Sequence, residues 1–145
     1  MVKVPGNLFL ASLTCGKVYW FSTNPSSGIP NHYHICVAKT DDDIVVFVCC
    51  TSQEKTMNKL IEMKGLSPST IVYIKEGNYN FTKDTFINCN EVYTMTIKQF
   101  SEHYNKGEVE FKSEIGANHY KQIVDGIKES RLVAIEHKKM IPDIE

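Results

Sequence analysis

Two histidines, His32 and His34, stand two residues apart at the start of the apolar run HYHICV. Residues two apart on a β-strand project from the same face, and histidine titrates near neutral pH, so this pair could exchange protons at one site. Proton transfer at a phosphate group, for example, needs a base, an acid and hydrogen-bond donors to the phosphate oxygens. Thr51 ends the next apolar run and offers such a donor. The candidate catalytic residues are therefore His32, His34 and Thr51.

A hairpin would bring these residues together. Residues 32–39 and 44–51 are rich in β-branched and apolar side chains, and the short polar link TDDD at 40–43 joins them. Such a link predicts an antiparallel pair of strands. Counting outwards from the link predicts four cross-strand pairs: Lys39 with Ile44, His34 with Cys49, His32 with Thr51, and Asn31 with Ser52.

The rest of the chain reads as short strands with a few helices. The predicted elements are a strand at 16–21, a turn-rich loop at 24–30, a helix or ordered loop at 52–61 capped by Ser52, strands at 70–75 and 85–95, a short helical turn capped by Thr96, an amphipathic helix at 113–130 and a fraying tail at 135–145. These elements predict a mainly β, α+β fold: a small barrel with short helices and a C-terminal amphipathic helix.

Length and composition favour one domain. The 145 residues, 42% of them hydrophobic, predict a single domain over 1–145, with its core at about 16–132. No early apolar run reaches the roughly 18 residues of a membrane span, and the N-terminus lacks a signal-cleavage pattern, so we expect a soluble protein without membrane association. The five cysteines are odd in number and without C-x-x-C spacing, which indicates reduced core thiols and a cytoplasmic location.

The charges are balanced, so any attraction for nucleic acid must be local. The chain has 16 basic and 17 acidic residues, and Arg131 is its single arginine. A single strand offers phosphates to lysines and bases to aromatic rings. The candidate RNA-binding residues are Lys17, Trp20, Asn24, Ser26, Ser52, Gln53, Lys55 and Lys59. The alternative is that Trp20 belongs to the core or a dimer interface and that Lys55 and Lys59 form a solvated face.

The order of these segments resembles that of the MazF/PemK toxins. The segments are GKVYWF, the NPSSG loop, HICV, VCCTSQ, FINCNEVYTMT and a terminal helix, over residues 16–132. The resemblance implies an SH3-like barrel, usually a homodimer, that cleaves single-stranded RNA without metal or other cofactor. It also implies a cognate antitoxin protein as partner. The family's catalytic arginine falls at His32 or Tyr33 here, and its strand-ending threonine at Thr51.

Other interpretations of the same residues remain open. The chain could be a small-barrel module that binds protein or nucleic acid and has lost catalysis with the arginine. His32, His34 and Cys36 on one strand face, with Cys49 opposite, could instead hold zinc. Finally, the histidines could be ordinary half-buried strand residues, with Thr51 and Ser52 capping the next segment.

Overall fold

The computed structural model describes residues 15–143, which form one antiparallel sheet with short helices. The strands are β1 (Lys17–Phe21), β2 (His32–Lys39), β3 (Ile44–Thr51), β4 (Ile71–Ile74), β5 (Thr85–Thr96) and β6 (Glu110–Glu114). The helices are α1 (Glu54–Lys64), α2 (Ile97–Asn105), α3 (Ala117–Glu129) and α4 (Ile135–Lys139). Three single 3-10 turns lie at Pro25–Ser27, Pro68–Thr70 and Asn78–Asn80.

The six strands lie in the order β4-β5-β3-β2-β1-β6 and curl into a half-barrel. Irregularities in register interrupt three of the strand pairs, between β1 and β6, between β2 and β3, and between β3 and β5. Such bulges increase the local twist of a sheet and let it bend. The predicted mainly β, barrel-like α+β fold is confirmed.

The curled sheet is apolar on both faces, and each face has its own helix. On one face the aliphatic side chains of Ile35, Val48 and Ile87 pack with Ile123 and Ile127 of α3. The other face is aromatic, and its rings meet Phe100 of α2; the Phe100 ring lies 5.3 Å from Tyr19 and 5.0 Å from Phe47 between centroids. Because successive side chains of a strand point to opposite faces of the sheet, neighbouring residues pack into two different cores.

The β2–β3 hairpin keeps the predicted register as far as His34, and the strand pairing ends there, so the predicted pairs of His32 with Thr51 and Asn31 with Ser52 are not among the paired residues of the sheet. His34 faces Cys49 as predicted. Near the turn the prediction is wrong, because Lys39 faces Val45 rather than Ile44. The turn is one residue shorter than predicted, because Thr40 belongs to the hairpin: its amide donates to the Ile44 carbonyl at 2.9 Å. A bulge between Cys36 and Ala38 absorbs the extra residue.

Three predictions about the helices and the tail need correction. Helix α1 begins at Glu54 with Gln53 as its N-cap, so Ser52 does not cap it. The predicted helix at 113–130 begins only at Ala117, because the chain before it forms the edge strand β6 beside β1. Over its described residues, 135–143, the predicted fraying tail is wrong: it forms α4, and Ile141 is 3% exposed with its carbonyl accepting a 2.8 Å hydrogen bond from Lys128. The last two residues of the predicted tail lie outside the described part of the chain.

Other boundaries agree with the sequence. Thr96 caps α2 through a capping box, in which its hydroxyl accepts from the Gln99 amide at 3.0 Å and the Gln99 side chain accepts from the Thr96 amide. The strands predicted at 16–21, 70–75 and 85–95 are present to within one residue at each end. Among residues 15–143, the helices are too short or too polar to cross a membrane.

A buried polar network joins β5 to the end of α3. The Asn90 side chain accepts from the Ser130 hydroxyl at 2.7 Å and donates to the Thr70 hydroxyl at 2.8 Å. All three residues are buried. Because a buried polar atom that loses its partner keeps its desolvation cost, this network holds α3 and the chain before β4 in one arrangement.

We predict that Asn90→Ala lowers the free energy of unfolding by about 1–3 kcal/mol, since it leaves the two buried hydroxyls with fewer partners. Urea unfolding measures the change. The matched control is Thr94→Ala, an exposed position on the same strand, with an expected effect within about 0.5 kcal/mol. Equal effects of the two substitutions would contradict a structural role for the network.

Candidate functional site

A cleft of about 330 Å³ opens where β2 begins and β3 ends. The chain that leads into β5 forms its far side, because β5 pairs with β3 and brings Phe86 opposite Thr51. The lining residues are Trp20, Asn31, His32, Tyr33, Cys50, Thr51, Ser52, Gln53, Phe81, Thr82, Lys83 and Thr85. Side chains from four separate segments of the sequence therefore meet at one end of the half-barrel.

Aromatic side chains form one wall of the cleft. Trp20 of β1 faces Tyr33 of β2 in the sheet, and their ring centroids are 4.8 Å apart. The Tyr33 ring is in turn 5.4 Å from Phe81, which is buried. Trp20 and Tyr33 are only half-buried, so this wall offers aromatic surface to a ligand. Such surface is what unstacked nucleotide bases bind.

His32 enters the cleft with a defined tautomer. Its Nδ1 lies 3.1 Å from the Pro30 carbonyl oxygen, which can only accept a hydrogen bond. Nδ1 therefore carries the proton in the neutral ring, and Nε2 keeps a free lone pair. A neutral imidazole held in this way can act as a proton acceptor.

The turn into α1 fixes the Thr51 side chain, which also lines the cleft. Its Oγ1 accepts a 3.1 Å hydrogen bond from the Gln53 amide. This bond sets the position of the hydroxyl and leaves its own proton available to a ligand. Ser52 beside it adds a second hydroxyl, and Lys83 adds positive charge.

His34 lies in a different environment from His32, although their ring centroids are only 6.5 Å apart. It is 2% exposed, and its ring centroid is 4.2 Å from that of Phe21 in the aromatic core. Its Nδ1 donates to the His32 carbonyl at 3.0 Å. Burial lowers the pKa of His34 to about 4, so the ring is neutral at pH 7. The two histidines are therefore close in space, but His34 does not line the cleft.

Five of the candidate residues line the cleft: Trp20, His32, Thr51, Ser52 and Gln53. The others lie elsewhere. Lys17 is at the opposite end of β1, with its Nζ 5.4 Å from the centre of the Phe111 ring. In the exposed β1–β2 loop, the Ser26 hydroxyl donates to the Asn24 side chain at 2.9 Å. Lys55 and Lys59 are exposed on α1, outside the cleft lining.

The chain before β5 contributes to the cleft although its residues were not predicted as site residues. Phe81, Thr82 and Lys83 reach the cleft only because β5 pairs with β3, a contact between distant segments. No local pattern around Lys83 distinguishes it from the other lysines. The one sequence feature that indicates a buried contact in this segment is Phe81, an apolar residue within the turn-rich stretch between two strands.

The residues considered for zinc are not grouped as ligands. Among residues 15–143, no set of three or more His, Cys, Asp or Glu side chains is placed to hold a metal ion. The thiols of Cys36 and Cys49 donate instead to the carbonyls of Ala38 and Cys50, at 3.7 and 3.6 Å. Burial also raises the pKa of Cys49 to about 11, which disfavours the thiolate that zinc requires.

A smaller recess of about 180 Å³ adjoins the cleft and shares Trp20 and Asn31 with it. Its lining includes Glu108 and Glu110, and Glu108 is paired with His103 at 2.9 Å. Lys83 lines the larger cleft, whereas the carboxylates of Glu108 and Glu110 line the recess. An anionic group is therefore favoured in the larger cleft rather than in the recess.

Comparison of the chain with protein-family models finds no match, and comparison with curated proteins finds none either.

We predict that His34 makes folding stability depend on pH. Its pKa is about 4 in the folded state and near 6.5 when unfolded, so the unfolded chain binds more protons between these values. Its contribution is fully present above pH 6.5 and falls by about 3 kcal/mol as the pH drops to 4. Urea unfolding across this range, compared with His34→Phe, isolates the effect. Parallel pH curves for the two proteins would contradict burial of a neutral His34.

Proposed function

We propose that the chain binds single-stranded RNA in the 330 Å³ cleft and cleaves it by attack of a ribose 2′-hydroxyl on the adjacent phosphate. The observation that supports this most is the position of His32. Its Nδ1 is held by a backbone carbonyl, and the ring lines the same cleft as the Thr51 hydroxyl and an aromatic wall. One small cleft therefore contains a proton acceptor, a hydrogen-bond donor for phosphate oxygens and an aromatic surface on which nucleobases can stack.

In the proposed reaction, Nε2 of His32 accepts the proton of the 2′-hydroxyl, and the 2′ oxygen then bonds to phosphorus. The bond from phosphorus to the 5′ oxygen of the next nucleotide breaks, the 5′ oxygen takes a proton from solvent water, and the hydroxide so formed takes the proton from the His32 imidazolium. The products are a 2′,3′-cyclic phosphate and a 5′-hydroxyl. The hydroxyls of Thr51 and Ser52 donate to the phosphate oxygens. Lys83 stabilises the negative charge that develops on these oxygens and on the leaving group.

The surroundings of the cleft favour a single strand over a duplex. Trp20 and Tyr33 can stack only on bases that are free of their complementary strand. The net charge of −1 gives no general attraction for nucleic acid, so binding depends on local contacts such as Lys83. A substrate with exposed bases, such as a loop or an unpaired segment, fits this surface best.

The wider biological role rests on the sequence resemblance to the MazF/PemK toxins. In that setting the chain is the toxin of a toxin–antitoxin pair, acts in the cytoplasm and forms a homodimer. The cognate antitoxin would inhibit it by placing a segment of its own chain in the cleft.

A second candidate is a module that binds RNA or protein without cleaving it. The observation that favours it is the burial of His34, which leaves the cleft with His32 but without a second imidazole to supply the acid. This candidate predicts binding in the same cleft and no cleavage products.

We predict that His32→Ala lowers kcat/KM for RNA cleavage at least about 100-fold, because it removes the base. The assay follows cleavage of a long single-stranded RNA. His34→Gln, which alters the adjacent core position, is the matched control and should change kcat/KM less than about tenfold. Full activity of His32→Ala would exclude His32 from the chemistry. Binding without cleavage by the unmodified protein would favour the second candidate.

We predict that Lys83→Ala reduces the salt dependence of RNA binding. Each phosphate contact in single-stranded nucleic acid contributes about −0.7 to the slope of log K against log salt, so loss of one contact should make the slope shallower by about that amount. The ligand is RNA with 2′-O-methyl groups, which cannot undergo this cleavage. Lys59→Ala, on α1 and outside the cleft, is the control with an unchanged slope. Equal slopes for all three proteins would contradict phosphate binding by Lys83.

A further inference from the structure

A row of three side chains crosses the sheet beside the cleft. Trp20 of β1 lies opposite Tyr33 of β2 on one side and opposite Glu110 of β6 on the other. Residues that lie directly opposite each other on antiparallel strands project from the same face of the sheet and are close enough to interact. The Trp20 indole therefore stands between an aromatic ring on one side and a carboxylate on the other.

The recess of about 180 Å³ lies on the carboxylate side of this row. Glu110 lines the recess and not the cleft, whereas Tyr33 lines the cleft and not the recess. Trp20 and Asn31 line both, so the two spaces are adjacent. The described residues that line the recess include two glutamates but no lysine or arginine. A phosphate is therefore disfavoured there, and an uncharged group that carries hydrogen-bond donors is favoured.

The second glutamate of the recess, Glu108, is held by the end of α2. Gly107 has a φ of 78°, and the Glu108 amide donates to the His103 carbonyl at 2.9 Å, which is the pattern of a Schellman motif. The His103 Nδ1 also lies 2.9 Å from Glu108 Oε1. Backbone and side chain therefore both fix Glu108, and its carboxylate keeps lone pairs that face no donor of its own loop.

We propose that the recess binds one guanine base of the RNA, with Trp20 as the stacking surface and the Glu110 carboxylate as the hydrogen-bond acceptor. This inference rests on the proposed function, because it identifies a base of the same RNA strand whose phosphate the cleft would hold. The observation that supports it is the strand register, which places the carboxylate beside the indole at the wall that the recess shares with the cleft.

Guanine is the RNA base whose Watson–Crick edge matches a carboxylate. Its ring N1–H and its 2-amino group are adjacent donors, and one carboxylate can accept from both. Adenine and cytosine place an amino group beside an unprotonated ring nitrogen, and uracil places its N–H between two carbonyl oxygens, so an acceptor of these bases would face the carboxylate and be repelled. Lys112 Nζ, 2.7 Å from Glu110 Oε2, occupies one lone pair and leaves others for the base. The Asn31 amide, which lines the recess, can donate to guanine O6.

The test is binding of the full chain to RNA with 2′-O-methyl groups, which cannot undergo the proposed cleavage, so that base preference is measured apart from the chemistry. The probes are a run of uridines and the same run with one central guanosine, inosine, adenosine or cytidine. The guanosine probe should bind at least about tenfold more tightly than the uridine, adenosine and cytidine probes. Inosine lacks only the 2-amino group, so its affinity should fall between those of guanosine and uridine.

Glu110→Gln tests the acceptor directly. An amide presents one donor and one acceptor in place of two acceptors, so the preference for guanosine over uridine should fall at least about fivefold while uridine binding stays unchanged. The Glu110 side chain is 45% exposed, so the substitution leaves the core intact. Glu114→Gln, at the other end of β6 and outside the recess lining, is the matched control and should keep the full preference.

The outcomes separate this inference from the proposed function. Equal binding of all probes, a preference for another base, or an undiminished guanosine preference in Glu110→Gln would overturn the guanine site and leave the proposed cleavage standing. Failure of the unmodified protein to bind any probe would overturn both. A guanosine preference that depends on Glu110, in a protein that cleaves no RNA, would support the guanine site and contradict the proposed chemistry.

Discussion

The pairing of β2 with β3 is the constraint on which the candidate site depends. His34 lies opposite Cys49, and this register brings the start of β2 and the end of β3 to the same end of the half-barrel. His32 and Thr51 line one cleft as a result. The turn between the strands is one residue shorter than predicted, and the bulge between Cys36 and Ala38 compensates for this, so the register at His34 is preserved. Without that bulge, a shift of one residue would exchange the faces on which the β2 side chains lie.

The curl of the sheet then gives neighbouring positions on β2 different chemistry. His34 enters the aromatic core beneath α2, where burial keeps it neutral, while His32, one pleat nearer the strand end, lines the open cleft. The hydrogen bond from His34 to the His32 carbonyl links the two. Under the proposed function, His32 contacts the substrate, whereas His34 is a residue of the core that does not line the cleft. The same alternation places Tyr33 on the other side, against Trp20 and Phe81.

The sequence predicted the elements that depend on local patterns and missed those that depend on distant contacts. The hairpin, the N-cap at Thr96 and the amphipathic face of α3 follow from turn residues, hydroxyl caps and apolar spacing, whereas the reciprocal bond from Gln99 that completes a capping box was not predicted. Strand β6 was not predicted because EFKSE is an edge strand, paired with β1, and most of its side chains are exposed. Its sequence therefore lacks the alternation of apolar and polar residues that indicates a strand. The burial of His34 was not predicted either, because His32 and His34 occur in similar local sequence. Only the packing of Phe21 and Phe47 against the His34 ring distinguishes the two residues. Lys83 reaches the cleft through the β3–β5 pairing, which the sequence does not reveal.

The most direct test of the central proposal is to map the ends of RNA products. Purified protein is incubated with a long single-stranded RNA in the presence of a chelator, and the chemical groups at the new ends are identified. Proton transfer at His32 predicts fragments that end in a 2′,3′-cyclic phosphate and begin with a 5′-hydroxyl. Intact RNA, or fragments with 3′-hydroxyl and 5′-phosphate ends that form only when a divalent metal is supplied, would contradict the proposal.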